Sequence, residues 1–336
     1  MNYVSPGASG MLSLLSPWLI DEEVSEIMVN KPYEVFIEKQ GRMTRHELSE
    51  LSPLYLRRLF NFIANESNQV LDEVHPLLSA NLYDGSRVQL AIPPAAENYC
   101  LSIRRHSVKH MTLTDYQASS FFEGTKLFDL KQINNKNINN DTQLQVLYQQ
   151  QKWGEFLALA VKKRKNIIIS GGTSSGKTTF LNALIQEIPK DERLITLEDT
   201  REVIIPHENH VALVASKGGQ SKAKVSMQDL VQCCLRLRPE RIIMGEVRGA
   251  EIMDFVSACS TGHEGSITSI HANNPQIAFM RMVQMYKLNN VPSMRDEDIL
   301  NALHQIIDII VQVGKTPSGR RLQSCYFKSA TEEVLI

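Results

Sequence analysis

A glycine-rich segment in the second half of the chain has the residue types and the spacing of a phosphate-binding loop. Residues 171–178 read GGTSSGKT, which fits the pattern G-x-x-x-x-G-K-[ST]. Glycines let the backbone N–H groups of such a loop turn inward around phosphate, and a helix that begins there adds its dipole. In this pattern Lys177 reaches the β- and γ-phosphates, and the Thr178 hydroxyl holds Mg²⁺. The segment therefore predicts binding of ATP or GTP together with Mg²⁺.

The elements on either side of this loop are the ones that a phosphate loop needs. Residues 166–170 read NIIIS, a short apolar strand, and residues 176–188 have a helical pattern that stops at Pro189. The bare pattern should occur by chance in about one chain in a hundred of this length. The strand and the helix make the competing interpretation, a glycine-rich turn without function, much weaker.

Two further strands end in carboxylates. Residues 194–202 read LITLEDTRE, and residues 238–248 read RPERIIMGEVR. In α/β sheets the ligand binds at the carboxyl ends of the strands, so we expect Glu198 and Glu246 near the phosphate loop. A carboxylate at this edge can position Mg²⁺ and the attacking water. On local pattern alone, a capped turn and an ordinary strand-terminal glutamate remain the alternatives.

A fourth segment places two histidines and several hydroxyls around another strand. Residues 261–272 read TGHEGSITSIHA. A single histidine is more often a satisfied hydrogen-bonding side chain than a catalyst. His271 therefore becomes a candidate only in the company of the other three segments.

The order of these four segments resembles that of the secretion ATPase superfamily. The matching stretches lie between Gly171 and Ala272 and read GGTSSGKTT, LEDTRE, LRLRPERIIMGEVR and TGHEGSITSIHA. The resemblance is strongest to the traffic ATPases of type IV secretion and conjugation systems. A weaker resemblance extends into the first half of the chain, at SANLYDGSRVQL and LSIRRHS. Type II secretion and pilus ATPases usually carry a late four-cysteine zinc module, which this sequence lacks.

The resemblance implies a role for each matching position. The residues of the phosphate loop would bind the nucleotide: Gly171, Gly172, Thr173, Ser174, Ser175, Gly176, Lys177, Thr178 and Thr179. Further nucleotide contacts would come from Arg87, Arg104, Glu202 and Thr268. The residues implied in catalysis are Glu246, Lys177, Glu198 and His271. Those implied in binding Mg²⁺ are Thr178, Glu198 and Glu246.

Within these sets the resemblance also implies a division of labour. Glu246 would be the catalytic carboxylate, while Glu198 and Glu202 would be the carboxylates of an acidic box. Thr268 and His271 would sense the γ-phosphate. Two arginines of the first domain, Arg87 and Arg104, would reach the nucleotide and act as a lid that closes on ATP.

The elements that position these residues divide the chain into two domains. From residue 151 to 336 strands and helices alternate, which predicts an α/β fold with a mostly parallel sheet; the resemblance makes this a RecA-like, ring-forming P-loop motor domain. Residues 1–122 combine short strand patterns with a helix at 52–65, typical of a small α+β domain. Residues 123–150 are predicted to be a linker, since the stretch 132–151 reads QINNKNINNDTQLQVLYQQQ and has little apolar surface to bury. A long surface loop within one domain is the alternative.

Composition limits the other classes of function. The 336 residues include 36 Lys and Arg against 37 Asp and Glu, which disfavours a protein held to nucleic acid by bulk charge. No apolar run approaches the roughly 18 residues that span a bilayer, and the first twenty residues lack the basic n-region of a secretory signal. The five cysteines form no CxxC pair. We expect a cytosolic, reduced protein whose membrane contact is peripheral; the basic cluster at 162–165 is more often a solvated helix end than a lipid contact.

These observations and the resemblance together predict a Mg²⁺-dependent ATPase. It would work as a homo-hexameric motor that powers assembly of, or transport through, a type IV secretion system. Its partners would be the inner-membrane components of that complex, at the cytoplasmic face of the bacterial inner membrane, and the long linker would let the first domain dock on a neighbouring subunit. A P-loop nucleic-acid translocase is the main alternative, although the sequence lacks the aromatic and basic interleaving that stacks bases. A nucleotide-binding switch without turnover is the third.

Overall fold

Two β-sheets organise the chain, one in each half of the sequence. The computed structural model describes residues 10–82, 84–105, 141–216, 223–317 and 319–331. The first sheet has six strands, and the second has seven. No helix in this part of the chain combines the length and the hydrophobicity that crossing a membrane requires.

The first sheet is antiparallel and carries one long helix. Strands β1 to β6 are Val24–Val29, Glu34–Lys39, Arg42–Glu47, Leu77–Asn81, Arg87–Ala91 and Cys100–Arg104. They lie in the order β3-β2-β1-β6-β5-β4. A 3₁₀ turn at Ser13–Leu15 leads into the short helix α1, Ser16–Leu19, and helix α2 is Pro53–Glu66. Ser52 caps α2 by accepting the backbone N–H of Tyr55, and one apolar face of α2 packs in the core of this sheet, as predicted.

The second sheet is parallel except for one edge strand. Strands β7 to β13 are Ile167–Gly171, Leu194–Glu198, His210–Val214, Arg241–Met244, Ile267–Ile270, Ile309–Thr316 and Gly319–Phe327. Their order is β13-β12-β7-β11-β10-β8-β9, and β13 alone in this sheet pairs antiparallel. The prediction of a mostly parallel sheet is therefore confirmed.

Helices cover both faces of the second sheet. Helices α3 to α10 are Thr142–Gln149, Trp153–Lys162, Lys177–Gln186, Met227–Arg236, Glu251–Ser260, Pro275–Tyr286, Asp296–Ile306 and Lys328–Thr331, with a 3₁₀ turn at Lys287–Asn289. Successive strand residues point to opposite faces, so Ile167 and Ile169 join the core under α3, α4 and α5, whereas Ile168 joins the core under α6 to α9. Burial on both faces explains why these strands read as continuous apolar runs.

Part of the predicted linker is folded. Helix α3 lies within the stretch 132–151, where the sequence analysis expects little surface to bury, yet it buries Leu144 completely. The phenol ring of Tyr148 packs against Trp153, and Lys165 binds the buried carboxylate of Asp141 at 2.8 Å. The expectation is wrong here because Leu144, Leu147 and Tyr148 share one helical face that packs in the core. Residues 123–140 lie outside the described residues, so the rest of the predicted linker stays a prediction.

The first sheet packs against the second domain of the same chain. Arg193 Nη1 donates to Asn30 Oδ1 at 2.6 Å, and Asn30 Nδ2 donates to Asn209 Oδ1 at 3.0 Å. Arg238 binds the carboxylate of Glu38 in β2. Arg193 directly precedes β8, Asn209 directly precedes β9, and Arg238 lies shortly before β10. The contact therefore lies at the amino ends of the parallel strands. The contact of the first domain with a neighbouring subunit stays a prediction.

The contact contains a fully buried guanidinium. The side chain of Arg193 has no solvent exposure, and it binds amide oxygens and the carbonyl oxygen of Leu237 instead of a carboxylate. Burial lowers the pKa of Arg193 to about 10. The Arg193 guanidinium binds the amides of Asn30 in the first domain and Asn209 in the second. Separating the domains would remove the Asn30 amide from the guanidinium, so this contact makes the docking specific.

Candidate nucleotide-binding site

The glycine-rich segment connects β7 to α5, as the sequence predicts. Strand β7 ends at Gly171, and α5 begins at Lys177. Gly176, just before the helix, has a φ of +96°, which side chains of L-residues rarely tolerate. A Cβ on Gly171 would lie 2.5 Å from Ser175 Oγ and 2.6 Å from the carbonyl oxygen of Val313. Both glycines are therefore required, and the loop they shape ends at a helix N-terminus suited to anions.

A cavity of about 450 Å³ opens at the carboxyl ends of the parallel strands. This is a usual size for a small-molecule site. Its walls come from the phosphate loop, the acidic segment after β8, the segment after β10, the end of β11 and the start of β13. These walls agree with the expectation that the four segments meet at one edge of the sheet.

Lys177 lies at the centre of this edge. Its Nζ donates to the carbonyl oxygens of Gly171 and Gly172 at 3.2 and 3.3 Å, and it lies 3.7 Å from Glu246 Oε1. The side chain is buried, and this burial lowers the pKa of Lys177 while the carboxylate of Glu246 opposes the shift. The ammonium group is thus held by oxygen atoms next to the loop that would bind phosphate.

The two oxygens of the Glu246 carboxylate have different partners. Its Oε2 accepts from Arg248 Nε and Nη2 at 2.6 and 2.5 Å. Its Oε1 is buried and accepts no hydrogen bond from the described residues, although His271 Nε2 lies 2.9 Å away. Burial lowers the pKa of His271, while the carboxylate of Glu246 opposes the shift. Oε1 therefore lies beside both the Lys177 ammonium and the His271 imidazole.

Glu198 has a positioning role in this structure. Its Oε1 accepts the backbone N–H groups of Glu202 at 2.8 Å and Val203 at 2.9 Å. The absence of a side chain at Gly245 makes room for it, since a Cβ there would lie 3.3 Å from Glu198 Cγ. Burial raises the pKa of Glu198 above its ordinary value. The carboxylate therefore folds the acidic segment back toward the phosphate loop.

The folded acidic segment brings a carboxylate to the hydroxyl of the phosphate loop. Thr178 Oγ1 donates to Glu202 Oε2 at 3.0 Å, and Asn182 Nδ2 donates to the carbonyl oxygen of Glu202 at 3.1 Å. Hydroxyl and carboxylate oxygens are ligands that Mg²⁺ prefers. Among the described residues no group of three or more His, Cys, Asp or Glu side chains could hold a metal by itself. The residues present fit a Mg²⁺ ion that brings phosphate oxygens with it, as is usual for this metal.

Most of the predicted site residues line the cavity. They are Thr173, Ser174, Ser175, Gly176, Lys177, Thr178, Thr179, Glu198, Glu202, Glu246 and His271. Gly171 and Gly172 instead form the junction between strand and loop. Thr268 does not line the cavity, whereas its neighbour Ser269 does, and the Ser269 hydroxyl donates to the carbonyl oxygen of Gly245 at 2.7 Å. The period of two along a strand, counted back from His271, would have indicated Ser269.

The two arginines of the first domain lie far from this cavity within the chain. Arg87 and Arg104 face each other on the neighbouring strands β5 and β6, and Arg104 pairs with Glu26. The positive charge of Arg104 also helps burial to lower the pKa of His263, in the turn before β11. The first domain contacts the second at the amino ends of the parallel strands, whereas the cavity lies at their carboxyl ends. Neither arginine lines the cavity of its own chain.

Two arginines without a predicted role, Arg248 and Arg320, also line the cavity. Arg248 Nη1 donates to Asp199 Oδ2 at 2.5 Å, so this side chain joins the segment after β10 to the acidic segment. Its place in the quoted stretch GEVR was a signal that could have been used. Arg320 comes from the hairpin of β12 and β13, and no local pattern marks it.

The strand, loop and helix at the edge of a parallel sheet define a P-loop nucleotide-binding protein. The family model of the "Type II/IV secretion system protein" family matches residues 13–316. The chain therefore belongs to the type II/IV secretion system protein family. The resemblance to the ATPases of type IV secretion, predicted from the four segments, is confirmed.

Individual relatives agree with this family over nearly the whole chain. The type IV secretion system protein VirB11 of Bartonella henselae is 35% identical over 327 residues, which cover 94% of this chain and 91% of that protein. PtlH of Bordetella pertussis is 34% identical over 305 residues, which cover 90% of this chain and 88% of that protein. The crystal structure of the VirB11 ATPase from the Brucella suis type IV secretion system, in complex with sulphate, superimposes with a TM-score of 0.87 at 32% identity and covers 96% of this chain and 98% of that one.

Proposed function

We propose that this chain is a Mg²⁺-dependent ATPase that works as a ring of six copies in a type IV secretion system. The observation that carries the proposal is the cluster of Lys177, Glu246 and His271 beside a phosphate loop in one cavity. The names of the similar proteins support the secretion system. A nucleotide switch without turnover is disfavoured, because Glu246 supplies a carboxylate to the cavity beside Lys177 and His271, where a catalytic carboxylate is needed.

Each residue of the cluster has a distinct task in this proposal. The N–H groups of the phosphate loop and the Lys177 ammonium bind the phosphates and offset the charge that develops on the transferred phosphoryl group. Glu246 Oε1 orients the attacking water and accepts its proton. His271, 2.9 Å from that oxygen, positions the water next to the γ-phosphate. Mg²⁺, held by Thr178 with Glu202 or Glu246 close by, would neutralise further phosphate charge.

Metal removal tests the enzyme class and the cofactor together. The purified chain should release inorganic phosphate from ATP in the presence of Mg²⁺, and EDTA in excess should lower the rate by at least about tenfold, because the metal neutralises phosphate charge. The measurement is a continuous phosphate-release assay with and without re-added Mg²⁺. An equal rate in EDTA would contradict the Mg²⁺ dependence.

The same assay separates the proposal from its main alternative. A nucleic-acid translocase would hydrolyse ATP faster when single-stranded DNA is added. We expect no stimulation, because the net charge of the chain is −1 and supplies no basic field.

The proposal includes partners at the cytoplasmic face of the inner membrane. The inner-membrane components of the secretion complex are the partners we infer, since the similar proteins are named as parts of such systems. The motor would act there as a peripheral protein, driving either assembly of the complex or transport of its substrate. The division into a first domain at residues 1–122, a linker that ends before α3 begins at Thr142, and a motor domain that extends to residue 336 belongs to the same proposal.

We further propose that Arg87 and Arg104 serve the nucleotide of a neighbouring copy. Neither arginine lines the cavity of its own chain, and the first domain packs at the other end of the parallel strands, so we expect them to reach a nucleotide across a subunit interface. Their planar donor forks suit phosphate oxygens. Hydrolysis would then weaken a contact between subunits and let the ring change shape.

A mixing experiment tests this contact between subunits. Arg104→Ala should bind ATP less tightly, with a smaller effect on ADP, and should turn over slowly; Lys177→Ala supplies an intact Arg104 but an inactive phosphate loop. Rings assembled from equal amounts of both should recover up to about half of the parent rate per Arg104→Ala subunit. The reason is that about half of the Arg104→Ala subunits have a Lys177→Ala neighbour, which supplies the arginine. Phosphate release is measured on rings whose mixed composition is verified by two affinity tags.

The control replaces Lys177→Ala by the Arg104→Ala/Lys177→Ala double variant, which can donate no arginine. Recovery in the first mixture alone supports action across the interface. Verified mixed rings that show no recovery, or equal losses of ATP and ADP affinity in Arg104→Ala, would contradict it.

A further inference from the structure

The hairpin of β12 and β13 extends past the edge of the sheet beside the phosphate loop. Strand β12 runs parallel to β7, with Val313 opposite Gly171, where β7 ends. Strand β12 continues for three more residues to Thr316, about 10 Å at the rise of a strand. The Thr316 hydroxyl then donates to the carbonyl oxygen of Gly319, where β13 begins. The tip of the hairpin therefore stands next to the cavity.

Arg320, the second residue of β13, returns over the phosphate loop. Its Nε lies 3.4 Å from the carbonyl oxygen of Ser174 and donates to it. Its Cδ is 2.9 Å from the position that a Cβ on Gly176 would take. Gly176 thus does more than adopt a positive φ: the missing side chain also leaves the space in which the aliphatic stem of Arg320 lies.

The charge of Arg320 is not neutralised by a nearby acid. Its guanidinium is exposed and lines the cavity, and no carboxylate of the described residues forms an ion pair with it. Arg248 differs, because it is bound to both Glu246 and Asp199. The wall across the cavity from Arg320 is acidic and includes Glu198, Asp199, Glu202 and Glu246. A cation on one wall and carboxylates on the other are complementary to a polyphosphate that carries a divalent metal on its acidic side.

We propose that Arg320 is a nucleotide-binding residue that contacts the phosphates from within the same chain. It approaches from the flank of the loop opposite the acidic segment, which the arginines of the first domain cannot reach in their own chain. The inference rests on the proposed nucleotide binding, and it adds the β12–β13 hairpin to the site. The guanidinium presents several donors in one plane, which matches the oxygens of a phosphate group.

Removal of the charge at position 320 should weaken the binding of nucleotides and of inorganic polyphosphate alike. Arg320→Gln should raise the Kd for ATP and ADP by about tenfold, in line with the loss of one charge-assisted contact. Inorganic tripolyphosphate should compete with a fluorescent ATP analogue about tenfold less well on Arg320→Gln than on the parent. Arg320→Lys should keep part of the affinity, since it retains the charge without the fork. Fluorescence titrations at low and moderate salt measure all of these.

Arg321→Gln is the matched control. Arg321 is the exposed neighbour on the same strand, it does not line the cavity, and its removal takes the same charge from the hairpin. We expect its affinities to stay within about twofold of the parent, since screening weakens charges that make no contact. Equal losses in both variants would reduce the effect to general charge and overturn the proposal.

The remaining outcomes are also decisive. Weaker binding of ATP with unchanged tripolyphosphate competition would place Arg320 on the base or the ribose and overturn the phosphate contact. Unchanged ATP affinity in Arg320→Gln, while the parent binds ATP, would refute this inference and leave the proposed function intact. A parent chain that does not bind ATP would refute the proposed function itself.

Discussion

Lys177→Ala will remove ATP hydrolysis almost completely, with a rate at least about a hundredfold below that of the parent. The buried Nζ donates to two carbonyl oxygens of the phosphate loop and lies 3.7 Å from Glu246. Without it, these oxygens face the phosphates with no cation between them, so both the binding of ATP and the stabilisation of the transition state are lost. Phosphate release at saturating ATP measures the effect, and a titration with a fluorescent ATP analogue separates affinity from turnover.

Lys162→Ala controls for the loss of a lysine from the same domain. Lys162 is an exposed residue in the last turn of α4 and pairs with Glu187 at 3.6 Å, an interaction of small value at a surface. Its rate and its melting temperature should match those of the parent. Hydrolysis by Lys177→Ala at the parent rate would contradict the assignment of the phosphate loop.

Features that depend on neighbouring residues in the chain could be predicted from the sequence. The strand before Gly171 and the helix after Gly176 are set by local apolar patterns, so the loop between them was predictable. The meeting of Glu198 and Glu246 followed from one rule, that parallel strands present their carboxyl ends at the same edge. The role of Glu198 did not follow, because its two backbone partners are made by the fold of the acidic segment.

Features that depend on the approach of distant segments could not be predicted. Arg320 reaches the loop only because β12 lies beside β7, and a sequence pattern does not state which strands become neighbours. The position of Arg104 depends on which end of the parallel strands the first domain packs against. That contact is made by residues scattered along the sequence, such as Arg193 and Arg238. The packing of α3 was missed for a simpler reason: its asparagine- and glutamine-rich surroundings obscure the single apolar face that holds Leu144.

Glu246→Gln should separate chemistry from binding at this site. The amide has nearly the shape of the carboxylate and can still accept a hydrogen bond from Arg248, so the architecture should persist. It cannot accept a proton from water, and kcat should fall by at least about a hundredfold, the usual lower range for loss of a general base. The affinity for ATP should stay within a few-fold, since removing a negative charge 3.7 Å from Lys177 leaves that ammonium freer to bind phosphate.

Glu198→Gln is the matched variant, because it removes the same charge from the same cavity. The amide oxygen at this position can still accept the N–H groups of Glu202 and Val203, so the acidic segment should keep its fold. We expect kcat to fall by less than about tenfold, because Glu198 positions the segment and leaves the proton transfer to Glu246. Phosphate release at saturating ATP gives kcat for both variants, and titration with a fluorescent analogue gives the affinities.

The comparison of the two variants distinguishes three roles for Glu246. A large loss of kcat in Glu246→Gln alone is the result expected of a catalytic base, since the charge change is the same in both. Equal losses would mean that the cavity needs its total negative charge, for example to hold a metal ion, and that no single carboxylate takes the proton. A collapse of ATP affinity with kcat preserved would make Glu246 a binding residue that contacts the nucleotide and does not activate water.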